Sequence, residues 1–349
     1  MKILVRGTNW IGDAVMSIPA LRELRRIFPE DQITLLTRSW ADGLFQDASF
    51  IDEIVSYDKA KWPVRDILDN SKFLKRDNFD LAVLLPNSFE SAITAFLTKI
   101  PRRIGYNKDV RGLLLTDPIA VPEWKDRRHE AYYYVNLVQN VERLLLNRET
   151  VGRFEYDGKL EVSDERKSAA RKFLIENGID FGRPTVALGV GSANSRAKRW
   201  PVENYAKLAE MIANDANQNV VLIGSKDEES TAAEVEAHCK VKLVNVAGKT
   251  DLAMAAAILA RSDLMISNDM GLAHLAPAVG TRTIVLFGPT NPETTRPFSP
   301  NAFVLREPVD CAPCMLRDCP IDHRCMTRIT PERVFEAAFA ANGGDEDEQ

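Results

Sequence analysis

Short apolar runs alternate along the chain with longer segments whose apolar residues recur every three or four positions. The runs predict buried strands, and the periodic segments predict amphipathic helices. Strands are predicted at residues 3–6, 33–37, 51–55 and 81–86 in the first half, and at 185–190, 219–224, 243–248, 264–269 and 283–288 in the second. Strands that alternate with helices are typical of parallel sheets covered on both faces, so the pattern predicts two doubly wound α/β domains.

The chain of 349 residues is long enough for two such domains, each with its own core. A charged helical stretch at 162–182 separates the two sets of predicted strands. We therefore predict an N-terminal Rossmann-like domain at 1–165 and a C-terminal Rossmann-like domain at 166–330. A final helix with a disordered acidic tail is predicted at 331–349.

Composition narrows the class of protein. Apolar residues make up 45% of the chain, as in soluble globular proteins, and the net charge of −5 argues against a nucleic-acid partner. No apolar run reaches the roughly 18 residues that cross a bilayer, and the first strand turns polar too early for a signal peptide. These features predict a cytoplasmic protein.

The segment at 6–20, RGTNWIGDAVMSIPA, joins the first predicted strand to the first helix. We predict that this helix begins after Ser17 as its N-cap, which leaves Asp13 in the preceding loop. Open α/β sheets bind ligands at such strand ends. A carboxylate there fits either a catalytic base or a residue that stabilises the helix N-terminus.

Two loops in the second half carry charge at strand ends. The glycine-containing loop at 189–201 holds Lys198 before a predicted helix, which indicates either an anion cradle or a solvated basic loop. Glu228 follows the strand at 219–224, where an acid binds ribose hydroxyls or occupies the first turn of a helix.

The strand at 264–269 ends in Asp269, and Met270 and Gly271 then lead into a short helix predicted at 272–279. The amide groups of a helix N-terminus suit a diphosphate, and Asp269 is an acceptor for sugar hydroxyls. His274 lies one turn into this helix. It either contacts a ligand or packs in the core, as an isolated histidine usually does.

Five segments in this order resemble the bacterial heptosyltransferases of glycosyltransferase family 9. They are IGDAVMSIPALREL (11–24), LPNSFESA (85–92), RRIGYNKDVRGLLL (102–115), AKRWPVENYAKLA (197–209) and NDMGLAHLAPAVGTRTIVLFGPTNP (268–292). The resemblance covers nearly the whole chain and implies the GT-B fold, two Rossmann-like domains facing each other across a cleft. It also implies transfer of heptose from ADP-L-glycero-β-D-manno-heptose to a heptosylated Kdo-lipid A acceptor, with inversion at the anomeric carbon.

The resemblance implies a role for each matching residue. Asp13 matches the general base, Lys198 a donor-phosphate contact and Glu228 a ribose-binding acid. The donor loop is matched by Asp269, Met270, Gly271, Leu272 and His274. Met270 departs from the Ser or Thr that relatives often carry, so a hydroxyl contact is lost there. Because a lysine and a helix N-terminus can replace a divalent ion, no cofactor is expected for catalysis.

A basic region precedes the predicted helix at 130–146. Residues 59–128 hold 14 Lys or Arg and 9 Asp or Glu, an excess of positive charge in an acidic protein. Arg102, Arg103 and Arg111 are predicted to bind the acidic acceptor, and the region with Trp62 and Trp124 is predicted to meet the inner face of the cytoplasmic membrane. The alternative is an ordinary solvated face.

The cysteine segment, residues 311–326 (CAPCMLRDCPIDHRCM), is more similar to the heptosyltransferase II branch of the family than to heptosyltransferase I. Cys311, Cys314, Cys319 and Cys325 supply enough thiolates for a structural zinc ion. Their spacing is looser than that of a paired zinc ribbon, so disulfides or plain packed thiols remain alternatives.

Two other functions fit parts of this pattern. A sugar-nucleotide epimerase or hydrolase of similar two-domain fold acts on the nucleotide sugar without a lipid acceptor. A binding module uses the cysteine segment to contact a protein or nucleic acid, although the acidic charge argues against nucleic acid.

Overall fold

The computed structural model of the chain describes residues 1–58, 63–153, 155–193 and 195–339. These residues form two compact units. Unit 1 contains Met1–Glu161 with Glu293–Phe298, and unit 2 contains Val162–Pro292 with the described residues from Ser299 onward. Trp62 and the predicted acidic tail lie outside the described residues.

The described part of unit 1 is built on a six-stranded parallel sheet with the order β3-β2-β1-β4-β5-β6. Its strands are β1 (Lys2–Arg6), β2 (Gln32–Arg38), β3 (Glu53–Tyr57), β4 (Leu81–Leu84), β5 (Arg102–Tyr106) and β6 (Asp117–Ile119). Its helices are α1 (Ile11–Met16), α2 (Ile18–Ile27), α3 (Pro63–Leu74), α4 (Phe89–Leu97) and α5 (Glu130–Leu146). The winding direction reverses between β1 and β4, and ligands bind open α/β sheets at such switch points.

The described part of unit 2 repeats this arrangement with the order β12-β11-β10-β7-β8-β9, and again all neighbouring strands are parallel. Its strands are β7 (Thr185–Gly189), β8 (Asn219–Leu222), β9 (Val244–Asn245), β10 (Leu264–Asn268), β11 (Arg282–Phe287) and β12 (Ala302–Arg306). The helices of the second half are α6 (Asp164–Glu176), α7 (Val202–Asn214), α8 (Glu229–His238), α9 (Leu252–Leu259), α10 (Gly271–Ala278), α11 (Pro292–Thr295), α12 (Arg324–Thr327) and α13 (Pro331–Phe339). The switch point here lies between β7 and β10.

The doubly wound α/β prediction is confirmed, and each strand predicted from an apolar run is present with shifted ends. The central strands are buried along their whole length, as the continuous apolar runs indicate. Three strands were missed: β5, which begins with two arginines, and β6 and β12, which lie at sheet edges and are only partly buried. Within the described residues, no helix has the length and apolarity required to cross a membrane.

Candidate functional site

A cavity of about 200 Å³ lies in unit 1 at the carboxyl ends of β1 and β4. It is therefore at the switch point of the first sheet, where the chain topology leaves a crevice. Its walls combine carboxylates, amides and aromatic rings, the groups that orient a polar ligand such as a sugar. The lining residues are Thr8, Asn9, Trp10, Asp13, Leu85, Pro86, Asn87, Glu130, Tyr133 and Tyr134.

Asp13 lies in the first turn of α1, where the helix dipole stabilises a carboxylate. Tyr134 donates a hydrogen bond from its hydroxyl to Oδ1 of Asp13 at 3.4 Å. Burial, and then the charge of Asp13, raises the pKa of Tyr134 well above its ordinary value. The phenol therefore stays protonated and acts as a fixed donor to the carboxylate.

The segment before Ser17 is helical, so the prediction that Asp13 lies in a loop was wrong. Ala14, Val15 and Met16 are buried in unit 1, and their packing stabilises a helical turn too short to form alone. Ser17 does precede α2, but its hydroxyl donates to the main-chain oxygen of Ala14 at 2.8 Å instead of capping α2.

A second carboxylate, Glu130, lines the same cavity and was not identified from the sequence. It begins α5, whose N-cap His129 accepts a hydrogen bond at Nδ1 from the Ala131 amide at 3.1 Å. Nε2 therefore carries the proton and donates it to the Arg296 carbonyl at 2.6 Å. Burial lowers the pKa of His129, which favours this neutral form. Glu130 itself is paired with Lys125. The sequence feature that could have identified Glu130 was its place as an acid in the first turn of the helix predicted at 130–146.

At the switch point of unit 2, the side chain of Asn268 joins three segments. It is fully buried at the end of β10. Its Nδ2 donates to the carbonyls of Val190 at 2.9 Å and Gly191 at 3.1 Å. Its Oδ1 accepts from the Trp200 amide at 3.0 Å and the Tyr205 hydroxyl at 3.1 Å. The loop after β7 and the start of α7 are thereby held against β10.

Asp269 follows directly and is the centre of a polar cluster. Its Oδ2 accepts hydrogen bonds from Lys198 Nζ and from Thr290 Oγ1, both at 2.7 Å. His274 Nε2 lies 3.9 Å from its Oδ1, and Asp269 and His274 are both 5% exposed. The structure thus brings Lys198 from one predicted motif together with Asp269 and His274 from another. The structure adds Thr290, which was not predicted as a site residue. The sequence feature that could have identified it is its position just after the strand predicted at 283–288.

The helix predicted at 272–279 is confirmed as α10. Met270 is its N-cap and makes no side-chain hydrogen bond to the first turn. The Met270 side chain therefore leaves the amides of Gly271 and Leu272 uncapped, and Gly271 lies two residues after Asp269. Such a helix N-terminus attracts anions.

Glu228 is buried and forms a capping box with Ser225. Its Oε2 accepts hydrogen bonds from the Ser225 amide at 2.8 Å and the Ser225 hydroxyl at 3.0 Å. Burial raises the pKa of this carboxyl. Gly191 lies against it so closely that a Cβ there would be 2.3 Å from the Glu228 Cδ, so a larger residue at 191 would displace this carboxyl group.

The three arginines predicted to bind the acceptor have different surroundings. Arg102 is paired with Asp117 at 2.6 Å, and Arg103 donates to the Leu114 carbonyl at 2.8 Å. Arg111 is fully buried, which corrects the expectation of an available cation. Its guanidinium donates to main-chain oxygens, including that of Tyr106 at 2.8 Å, and burial lowers its pKa to about 10. It holds the loop after β4 in place.

The four cysteines of the cysteine segment line one cavity of about 80 Å³ in unit 2. All are free thiols, and they range from exposed Cys311 and Cys314 to buried Cys325. Burial, reinforced by the neighbouring thiols, raises the pKa of Cys325 to about 11. Among the described residues, no three His, Cys, Asp or Glu side chains are arranged to hold a metal ion.

Comparison with known proteins gives a consistent result. Residues 67–324 match the model of glycosyltransferase family 9 (heptosyltransferase). Lipooligosaccharide heptosyltransferase 2 of Haemophilus influenzae is 30% identical over 96% of this chain and 98% of that protein. Lipopolysaccharide heptosyltransferase 2 of Salmonella typhimurium is 30% identical over 96% and 97%. The structure of E. coli ADP-heptose LPS heptosyltransferase II has a TM-score of 0.84 at 28% identity, covering 97% of this chain and 98% of that one. This match confirms the predicted GT-B fold class.

Proposed function

This chain belongs to glycosyltransferase family 9, the heptosyltransferases, and from that premise we propose how its two sites divide the reaction. The chain is a glycosyltransferase of lipopolysaccharide inner-core biosynthesis. Its donor in this proposal is ADP-L-glycero-β-D-manno-heptose, and its acceptor is heptosylated Kdo-lipid A. The observation that carries the proposal is the cluster of Lys198, Asp269 and Thr290 beside the N-terminus of α10.

Unit 2 binds the donor in this proposal. The Lys198 ammonium, held by Asp269, and the first-turn amides of α10 stabilise the negative charge that develops on departing ADP. His274 lies beside Oδ1 of Asp269, the oxygen that does not bind Lys198. Glu228 accepts hydrogen bonds from the ribose hydroxyls of the donor. A lysine and a helix N-terminus supply the positive potential that a divalent ion supplies in other transferases. We therefore expect turnover to persist after treatment with a chelator.

Unit 1 binds the acceptor sugar in the cavity that contains Asp13. The acceptor oxygen attacks the anomeric carbon of heptose while the bond from that carbon to the ADP oxygen breaks. Asp13 takes the acceptor proton, and the configuration at the anomeric carbon inverts. Tyr134 orients the carboxylate of Asp13. Arg102 and Arg103, at the start of β5, are the remaining candidates for acceptor phosphates or carboxylates.

One assay separates this function from its alternatives. Purified protein is incubated with ADP-heptose, with and without heptosylated Kdo-lipid A, and ADP release is measured. Release that depends on the acceptor supports transfer. Release without acceptor supports a hydrolase, isomerised nucleotide sugar supports an epimerase, and binding without release supports a binding module. The full-length similarity to heptosyltransferases does not favour the epimerase.

The proposal includes docking of unit 1 on the anionic cytoplasmic face of the inner membrane, where the acceptor is anchored. On α4, Phe89 is 47% and Phe96 45% exposed, and Leu113 on a neighbouring turn is 90% exposed. The Arg103 guanidinium lies 5.4 Å from the centroid of the Phe96 ring. Apolar and cationic groups that share a surface favour anionic bilayers.

Vesicle sedimentation tests this docking. The protein should bind phosphatidylglycerol-containing vesicles in a salt-sensitive way and should not bind pure phosphatidylcholine. Combined Phe96→Ser and Leu113→Ser should weaken binding. The matched control is Phe303→Ser in unit 2, which removes a phenylalanine of similar exposure (52%). Equal binding by both variants contradicts docking through α4.

A structural zinc ion at the cysteine segment remains a prediction. The four thiols share a cavity, but as they stand they do not form a metal-binding group, and no catalytic step depends on one. Elemental analysis of protein purified without chelator tests the prediction. A stoichiometric metal content supports it, and a metal-free preparation of active protein contradicts it.

A further inference from the structure

The cysteine segment makes direct contact with the lysine turn, the short turn Arg196–Lys198. The Ala197 amide donates to the Arg317 carbonyl at 2.9 Å, and the Ser195 hydroxyl donates to the same carbonyl at 3.1 Å. On the other side, His323 Nε2 lies 2.6 Å from the Ala197 carbonyl. Both main-chain groups of Ala197, the residue before Lys198, are therefore bonded to the cysteine segment.

The chemistry of this contact fixes the direction of the hydrogen bond. A carbonyl oxygen only accepts, so Nε2 of His323 must carry the proton and donate it. Ala197 is 3% exposed, so water does not readily replace this donor. The exposed ion pair between Arg196 and Asp318 joins the same two segments but is open to solvent, and such pairs contribute little.

The cysteine segment is itself fixed to the core of unit 2. Met326 is fully buried and packs against Gly288, where a Cβ would lie 2.5 Å from the Met326 sulfur. The Trp200 indole donates to the Ile329 carbonyl at 2.8 Å, just beyond the segment. The Met315 amide donates to the Pro289 carbonyl at 2.8 Å. A firmly anchored segment therefore holds the lysine turn.

These contacts lead to the two donors of the Asp269 cluster. Ala197 precedes Lys198, and Pro289 precedes Thr290, and both Lys198 and Thr290 donate to Asp269. The cysteine segment thus contacts the backbone immediately before each donor. Both donors therefore follow a residue whose backbone is hydrogen-bonded to the cysteine segment.

His323 adopts a left-handed backbone conformation, with φ 56° and ψ 28°. Glycine occupies this region without strain, and histidine, like asparagine and aspartate, is among the other residues that are enriched there. From this position the imidazole forms its hydrogen bond to the Ala197 carbonyl.

We propose that His323 is a positioning residue for donor binding, acting through the Ala197 carbonyl to fix Lys198. The inference rests on the proposed function, since it assigns Lys198 to the donor diphosphate. It gives the cysteine segment a role in heptose transfer that needs no thiol chemistry and no bound metal.

Two substitutions at the same position test the proposal. His323→Gly keeps the left-handed backbone and removes the side-chain donor, whereas His323→Gln places an amide nitrogen at a similar reach. We expect His323→Gly to raise the KM for ADP-heptose and the Kd for ADP by about tenfold, the effect of one lost hydrogen bond. The acceptor KM should be unchanged, and His323→Gln should recover most of the donor affinity.

A matched control and a double-mutant cycle complete the experiment. Arg324→Ala removes an exposed ion pair with Asp322 in the same segment and should leave donor KM unaltered. In a Lys198→Ala background, His323→Gly should add no further loss of ADP affinity, because both changes act through Lys198. An additive loss, an equal rise in both KM values, or no recovery with glutamine overturns the proposal. Wild-type protein that fails to bind ADP or to transfer heptose instead overturns the proposed function.

Discussion

The ammonium of Lys198 lies 2.7 Å from Oδ2 of Asp269, although the two residues are distant in the chain. Asp269 is almost fully buried, whereas the Lys198 side chain is 26% exposed to solvent. The carboxylate therefore holds a cation that still reaches solvent and can meet an anionic ligand. The pair links the loop after β7 to the end of β10 at the switch point of unit 2.

We expect Lys198→Met, which removes the charge but keeps an unbranched side chain, to weaken ADP binding by about 10- to 100-fold. Charge-assisted hydrogen bonds contribute about 1.5–3 kcal/mol, which corresponds to that range. Isothermal titration calorimetry with ADP measures the effect. Lys207→Met is the control, because Lys207 is an exposed lysine paired with Glu332 on the surface. Comparable ADP affinity in the two variants would remove Lys198 from the donor site.

We expect Asp13→Asn to lower kcat by at least about 100-fold, the lower end of the contribution of a general base. The donor lies on unit 2 in the proposal, so the Kd for ADP should stay the same. Glu130→Gln is the comparison, since it neutralises the second carboxylate of the same cavity. Stopped assays of acceptor-dependent ADP release measure both variants. A larger loss in Glu130→Gln than in Asp13→Asn would transfer the role of base to Glu130.

Glu228 should make the protein less stable as pH rises. Burial raises its pKa in the folded state, so the folded protein binds this proton more tightly than the unfolded chain does. The stabilisation is present below the unfolded pKa, about 4.3, and is lost as pH rises through the higher folded pKa. Glu228→Gln retains an acceptor for Ser225 and cannot ionise. As pH rises from 4 to 7, the melting temperature of Glu228→Gln should therefore increase relative to that of the wild type. A difference between the two melting temperatures that does not change with pH would contradict this.

Alkylation should distinguish the four thiols of the cysteine segment. The Cys325 pKa of about 11 leaves roughly one thiolate in a thousand at pH 8, and its side chain is buried. Iodoacetamide should modify exposed Cys311 and Cys314 first and Cys325 last, as peptide mass spectrometry would show. In urea the rates should converge. Equal rates in the folded protein would mean that Cys325 is accessible.

Local patterns in the sequence determined much of this protein. The apolar runs of β4, β7 and β10 are continuous because both faces of these strands are covered, and this signal needs no knowledge of distant residues. The start of α10 after Asp269 could likewise be predicted from the local sequence, since Gly271 marks a turn and the apolar helix follows it. The motifs also singled out Asp13, Lys198 and Asp269, although Asp13 lies in α1 and not in the predicted loop.

Only the tertiary structure decided which side chains meet. An arginine such as Arg111 is expected on the surface, yet Arg111 is buried and main-chain carbonyls from distant loops surround it. Glu130 enters the Asp13 cavity, and Thr290 reaches Asp269, because parallel strands bring their carboxyl ends to one edge of a sheet. Periodicity reports the face on which a residue lies, but hydrogen-bond partners depend on the neighbours that long-range strand pairing supplies.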